Sequence, residues 1–466
     1  MKNLKPYPAY KDTSIPWLGK VPKHWEVMPN RALLKKRKKL VGNRYSDYQM
    51  LSLTKQGIII RDLTNLKGKF SSDLGTSQEV RPGDLVFCLF DIPETPRTIG
   101  LSRYLGMITS AYTIFEPIGI CLGEFIERFY IAMDDRKLLS PLYTGLRNTI
   151  PTSVFLQIKT PLPPLSEQTA IVRFLDYMDS RIRKAIRLRK KRISLLEEYK
   201  QALISEVVTG KREVRRTHDP QKPYELHTRP PKMMKDSGIP WLGQVPKHWE
   251  VRRLKSVCFF IYGDSLPGES RDQGSVPVYG SNGCVGYHST PNTLAPCIII
   301  GRKGSFGKVR YSTSPVFAID TTFFIDSRHT SADLRWLFFL LGCLRLDEIS
   351  KDSAVPGLDR EDAYKNYLPL PPLSEQTFIA EYLDYQIAKI ESAIASDKRI
   401  MELLEEYRTR LIADVVTGKV DVRDVAAQLP EALPEDGTAD EEMADEETDP
   451  HLPVDVDTIS EQENDD

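Results

Sequence analysis

Two long segments of this 466-residue chain occur twice, and no other feature restricts its fold as tightly. IPWLGKVPKHWEV at residues 15–27 returns at 239–251 as IPWLGQVPKHWEV, differing only at Lys20 and Gln244. PLPPLSEQT at 161–169 returns unchanged at 369–377, and LLEEY (195–199, 403–407) and VVTGK (207–211, 415–419) come after it in the same register. The opening pair is offset by 224 residues and the later pairs by 208, so the first copy is 16 residues longer between its repeated ends. Each copy has constant ends around a variable middle.

The segment after PLPPL predicts a long helix. Ser166 and Ser374 are placed as N-caps, Glu167 and Glu375 put a carboxylate in the first turn, Gln168 and Gln376 come next, and the prolines hold the approach extended. Apolar residues recur at Ile171, Leu175, Met178, Ile182, Ile186, Ile193, Leu196, Leu203 and Val207, with Gly210 as the stop. The second copy repeats the stripe through Ile379, Leu383, Ile390, Ile394, Met401, Leu404, Leu411 and Val415 to Gly418. At 1.5 Å per residue each helix is about 65 Å long. Such a stripe calls for a partner, and the other copy in an antiparallel coiled coil is the expected one; two helices packed separately on their own lobes is the alternative. Arg181, Arg183, Lys184, Arg187, Arg189, Lys190, Lys191 and Arg192 crowd the first helix, as a solvated face or as phosphate contacts.

The middles, roughly 28–160 and 252–368, differ in sequence and read as mixed, strand-rich lobes. Gly57-Ile-Ile-Ile, Asp84-Leu-Val-Phe-Cys-Leu-Phe, Cys297-Ile-Ile-Ile and Val316-Phe-Ala-Ile-Asp-Thr-Thr-Phe-Phe-Ile, bounded by Gly, Pro and Asn, predict strands. Tyr279-Gly-Ser-Asn-Gly and Gly301-Arg-Lys-Gly-Ser-Phe-Gly are loops suited to touching base edges or phosphates, or are simply turns. The fold class is therefore α+β: two lobes, each followed by a long helix. The expected layout is a first lobe at 1–160, its helix at 161–210, a linker at 211–234, a second lobe at 235–368, its helix at 369–420, and an acidic disordered tail at 421–466.

The 64 basic and 64 acidic residues cancel only over the whole chain. Residues 421–466 hold 18 acids and one base, Arg423, leaving 17 positive charges on residues 1–420. A basic body suits a polyanionic partner, and a tail so charged and so poor in aromatics is expected to stay disordered, either solubilising the chain or competing with a polyanion. The six cysteines form no CxxC pair and no metal-ligand spacing, so reduced thiols and no metal are expected. No signal peptide or apolar span is read, which makes the cytoplasm the expected location. Neither a nucleotide or methyl-donor glycine loop nor a nucleophile elbow is found, so the chain reads as a binder, not a catalyst.

The doubled IPWLGKVPKHWEV and PLPPLSEQT closely resemble the specificity subunit of type I restriction-modification systems, over about residues 10–420. The resemblance implies two target recognition domains that read the halves of a split DNA sequence, with the helices as an antiparallel spacer and a pseudo-twofold relation between the lobes. It implies no cofactor in this chain, with S-adenosylmethionine, ATP and Mg on partners: two modification (methyltransferase) subunits and restriction (translocase/endonuclease) subunits. Because the middles differ, an asymmetric bipartite target is expected. The matching helix starts, Ser166, Glu167, Gln168 and Ser374, Glu375, Gln376, would belong to the spacer and subunit-docking surface. Candidate DNA contacts rest on loop chemistry alone: Lys55, Gln56, Arg61, Arg97 and Arg103 in the first lobe, and Asn282, Arg302, Lys303 and Ser305 in the second. The rival expectation is a coiled-coil DNA-binding or scaffold protein working without modification subunits.

Overall fold

The computed structural model describes residues 4–61, 74–92, 97–348 and 357–430. One unit takes the chain up to Arg189 and again from Arg399 onward; the other takes Lys190 to Lys398. The two long helices, Leu165–Val208 and Leu373–Val416, have 44 residues each, so each supplies its first part to one unit and its last part to the other.

In the first unit the strand Glu26–Pro29, directly after Trp25, pairs antiparallel with Lys159–Leu162, which leads into the first long helix. The repeated opening motif is thereby joined to the repeated PLPPL. Between them lie two four-stranded sheets. One runs Gly57–Ile60, Gln49–Thr54, Gly106–Ile108, Gln78–Val80, with Gly106–Ile108 parallel to Gln49–Thr54. The other, Leu34–Arg37, Thr113–Pro117, Leu85–Phe87, Ile99–Leu101, is antiparallel throughout. Helix Gly123–Asp135 buries Phe125, Ile126, Phe129, Tyr130 and Met133 in the core that also takes Trp25, Ile171, Phe174 and Leu175. The end of the second long helix completes that core through Leu411, Ile412, Val415 and Val416. Asp179, buried, accepts from both Arg408 of that segment and Arg183. Burial alone would raise this carboxyl, but the two guanidiniums override it and hold it below the usual range.

The second unit repeats the plan. Glu250–Arg253 pairs with Tyr367–Leu370 in the register of the first unit, Glu250 opposite Leu370 as Glu26 is opposite Leu162. Its middle holds a four-stranded sheet, Ile261–Tyr262, Thr322–Asp326, Cys297–Gly301, Val309–Ser312, and a three-stranded one, Gly283–His288, Val276–Gly280, Phe317–Ala318. The apolar stretch from Val316 is thus two strands in different sheets, split where Thr322 N–H bonds the Ile319 carbonyl in a tight turn. Residues 336–341 sit in the buried helix Leu334–Cys343, capped by Asp333, which accepts from the Arg335 and Trp336 amides. Leu203, Ile204, Val207 and Val208 share this core with Ile379, Leu383, Ile387, Ile390 and Ile394. Here Arg192 pairs with Asp397 (3.2 Å) and Lys200 with Glu391 (3.4 Å), so one helix ascends as the other descends. The antiparallel packing is as expected.

Three expectations need correction. The helices begin at Leu165 and Leu373, with the Pro164 and Pro372 carbonyls accepting the Glu and Gln amides, so exposed Ser166 and Ser374 lie inside the first turn instead of capping it. Residues 211–234 are no bare linker: Arg212–Arg216 and Tyr224–Thr228 form a hairpin, fixed by Tyr224 packing on Phe378, Tyr382 and Tyr385. The acidic segment does not begin disordered at 421: Val422 and, in the helix Arg423–Ala427 that follows it, Ala426 are buried in the first core, and Asp421 pairs with Arg423. Residues 431–466 of that segment lie outside the described residues.

Both long helices stop at a glycine with positive φ, Gly210 at +75° and Gly418 at +74°. A Cβ on Gly418 would stand 2.3 Å from Pro22 Cδ, and one on Gly210 would stand 2.5 Å from Pro246 Cδ. Gly418→Ala is therefore expected to cost about 2–4 kcal/mol in urea unfolding, whereas Gly342→Ala, whose Cβ meets open space in a helix, should be neutral or stabilising.

Candidate nucleic-acid interface

The lobes are fastened to the helices by a carboxylate. Glu167, 4% exposed, accepts from Trp25 Nε1 (2.8 Å) and from the Tyr7 hydroxyl (2.5 Å), and its other oxygen lies 2.7 Å from His24 Nε2. In the second unit Glu375 takes Trp249 Nε1 (2.9 Å), His248 Nε2 (2.9 Å) and Arg229 Nη2 (2.6 Å). Each carboxylate sits in a first helical turn, where the helix dipole also favours negative charge. Burial, then the Glu167 contact, raises the Tyr7 hydroxyl well above its ordinary range, which keeps it a donor. The neighbouring glutamine does a second job. Gln168 accepts from Leu122 N–H (2.7 Å) and donates to the Ile120 and Pro163 carbonyls, while Gln376 accepts from Asp333 N–H (2.8 Å) and donates to Pro371. Each thus ties the start of a long helix to the start of its lobe's own helix.

This corrects the docking expectation for Glu167, Gln168 and Gln376: all three are buried and bonded within the chain, so they offer nothing to another subunit. Glu375 is likewise occupied by three donors. Ser166 and Ser374 remain exposed, beside Leu165 and Leu373 at 48% and 57% exposure.

In the second lobe all four candidate contacts meet on one rim. Asn282 tips the hairpin between Val276–Gly280 and Gly283–His288, and its side-chain oxygen accepts from Ser305 (3.4 Å) while its carbonyl accepts from Arg310 (3.1 Å). Arg302 and Lys303 precede Ser305 in a loop closed by Gly307 N–H on the Gly301 carbonyl. Arg302 donates to the Asp320 carbonyl and lies 4.9 Å from the ring of half-exposed Tyr262, whose ring also carries Arg360 at 5.0 Å. Sequence reading missed Tyr262, Arg310 and Arg360, because only the folded sheet brings residues about a hundred positions apart onto one rim. An aromatic ring between guanidiniums, beside Asn and Ser side chains, is chemistry that stacks on bases and bonds their edges.

The first-lobe candidates scatter. Lys55 and Gln56 are exposed at the hairpin tip after Thr54, with Arg61 just past the returning strand. Arg103 is exposed before Gly106, which pairs with Gln49, so it lies beyond the opposite end of that strand from Lys55, with the strand's roughly 17 Å between them. Arg97 is held by Asp135 with its side chain mostly covered, so it braces helix Gly123–Asp135 and is withdrawn as a base reader. Other cations of this lobe are also engaged inside it. Glu79 is held by Lys39, Tyr48 and Arg81, and Asp84 by Arg37, and the Lys39 bond above all keeps the Glu79 carboxyl down at about 2.

Residues 246–400 match the family model of the type I restriction modification DNA specificity domain. The chain is 24% identical over 285 residues to a putative type I restriction enzyme MjaX specificity subunit of Methanocaldococcus jannaschii, covering 57% of this chain and 60% of that protein. It is 29% identical over 141 residues to the EcoBI specificity subunit of Escherichia coli, covering 30% and 29%. The matched stretches span less than two thirds of these relatives. The HsdS subunit from Thermoanaerobacter tengcongensis superposes with a TM-score of 0.51 at 17% identity, covering 86% of this chain and 98% of that one. A chain from a study titled as the structural basis of complex assembly and conformational transition of the type I R-M system reaches 0.63 at 16%, covering 85% and 98%. These two likenesses establish the fold. No helix among the described residues is long and apolar enough to cross a membrane.

Replacing Glu375 with Ala would leave the Trp249 indole N–H and the nearly buried Arg229 guanidinium without their acceptor. The expected cost is about 3 kcal/mol, read as a lower unfolding midpoint in urea, and Glu375→Gln should recover part of it.

Proposed function

We propose that this chain, a member of the type I restriction-modification specificity subunits, reads a split double-stranded DNA target with one half-site under each lobe. The observation that carries this reading is one fastening plan used twice beneath two different lobes: the same His-Trp-Glu contact and strand register support different sheets and different loop rims. Identical mounts with unlike faces suit two unlike half-sites, hence an asymmetric target. The excess of 17 positive charges on residues 1–420 favours a polyanion and supplies the sequence-independent part of binding.

In this reading the chain is non-catalytic and needs no cofactor of its own. Two modification subunits bring S-adenosylmethionine and methylate adenine, restriction subunits bring ATP and Mg, and the assembly works in the cytoplasm. The long helices act as the spacer, and exposed Leu165, Ser166, Leu373 and Ser374 at their starts are left for partner contact.

The deciding experiment maps methylated adenine in DNA from cells expressing the chain with its modification subunit, against cells lacking this chain alone. One bipartite, asymmetric motif that vanishes with the chain is the expected result; unchanged methylation would favour the scaffold reading. Within that map, Arg302→Ala is expected to relax one half-site only, by about 1–3 kcal/mol of base discrimination. Equal loss at every site would mean that Arg302 supports the fold and does not read bases.

A further inference from the structure

The described residues end on the first long helix. Arg173, on the first long helix, donates through Nη2 to the carbonyls of Leu429 (2.6 Å) and Pro430 (3.2 Å), so the last described residue is pinned to that helix. The helix face that receives it continues into the basic run. Lys184 and Arg187 lie 11 and 14 residues beyond Arg173, about three and four turns on, and therefore share its face at roughly 16 and 21 Å. Arg181 and Arg183 flank the same stripe, and all four side chains are exposed. Asp179 on this stretch is held by Arg183 and by Arg408, so Arg183 is engaged there and the stripe rests on Arg181, Lys184 and Arg187. The part of the second long helix in the same unit, residues 399–416, holds four acids against three bases, so the positive face belongs to the first helix alone.

The sequence beyond Pro430 is complementary to that face. Residues 431–466 carry 16 acidic side chains and neither Lys nor Arg, and six of the acids fall within 431–442. Ten extended residues span about 33 Å, so the first third of this segment reaches past Arg187 from its anchor at Arg173. Tethering gives a short segment an effective concentration of order millimolar, so weak ion pairs suffice to fill the stripe.

We propose that residues 431–466 dock along the Arg181–Arg187 face of the first long helix as an intramolecular polyanion and compete there with nucleic-acid phosphates. The docking stands on the anchor and the charges; the competition rests on the DNA-binding reading above. A contact to phosphate carries no sequence information, so its blockade weakens non-specific binding while leaving base readout by the lobe rims intact. The segment thereby acts as a selectivity filter.

The test uses the full chain and a full-length form with the 16 carboxylates removed (Glu431→Gln, Asp436→Asn and the rest likewise). At about 0.1 M salt the neutralised form should bind a random-sequence duplex about tenfold more tightly, with a steeper salt dependence. A labelled peptide of residues 431–466 should bind the neutralised form, lose at least tenfold in affinity when Lys184→Glu and Arg187→Glu are combined, and be indifferent to Lys255→Glu in the other unit. Unchanged thermal melting of the double variant separates lost docking from lost fold. A peptide that fails to bind, or ignores the double reversal, overturns the docking. Equal duplex affinity of the two full-length forms overturns the competition. If neither form binds any duplex, the DNA-binding reading fails instead, and the peptide result alone decides the docking.

Discussion

A single carboxylate at the head of each long helix carries the connection between helix and lobe. Glu167 and Glu375 each gather an indole N–H, an imidazole and one further donor. A buried carboxylate is tolerable only when donors surround it, and a buried indole N–H needs an acceptor, so each satisfies the other and neither can be removed alone. The same tryptophan is also where the far end of the other long helix arrives. A Cβ on Gly210 would stand 2.9 Å from the Trp249 ring, and one on Gly418 would stand 3.2 Å from Trp25. Three repeated motifs from distant parts of the chain, the HWE, the SEQ and the TGK, thus converge once in each unit.

That convergence explains which part of the fold was legible in the sequence. The repeats, the helix stripes and the glycine stops are local patterns with a local cause, and the two long helices result from them. Which partner each motif meets was not legible, because identical copies permit either pairing: TGK of the first copy closes on HWE of the second, and the reverse holds in the first unit. The misplaced caps have a simpler reason. Ser166 looks like a cap by residue type, yet the Pro164 carbonyl already accepts the Glu167 and Gln168 amides. The order of residues 421–430 is hidden by the acidic composition after them, which masks a short apolar pattern, Val422, Val425, Ala426 and Leu429, that packs on the first core.

The candidate contacts show the same division at the level of side chains. In the second lobe the chosen residues came from two glycine loops that a hairpin and a loop closure bring to one rim. In the first lobe the candidates are Gln56 and four cations, and charge alone does not say whether a side chain faces solvent or an internal acid. Arg97 met Asp135, and Arg37, Lys39 and Arg81 met Glu79 and Asp84. The third donor at each clamp differs for a comparable reason, a tyrosine hydroxyl in one unit and an arginine in the other, since both come from segments outside the repeats.

The placement of constant and variable residues has a consequence for how such a chain changes. Every clamp residue shared by the units, His24, Trp25, Glu167 and Gln168 with their counterparts, lies in the repeated ends, while Tyr262, Asn282, Arg302, Ser305, Arg310 and Arg360 lie in the unshared middle. The strand pairs Glu26–Pro29 with Lys159–Leu162 and Glu250–Arg253 with Tyr367–Leu370 close off each middle at its base with one register. A middle can therefore differ in strand count, strand order and length, as these two do, without moving the carboxylate, the tryptophan or the helix start. The clamp chemistry resides in the frame and the rim chemistry in the insert. Substitutions on the rim are free of the penalty attached to a buried, mutually satisfied cluster, which is the physical condition for one frame to carry unlike rims.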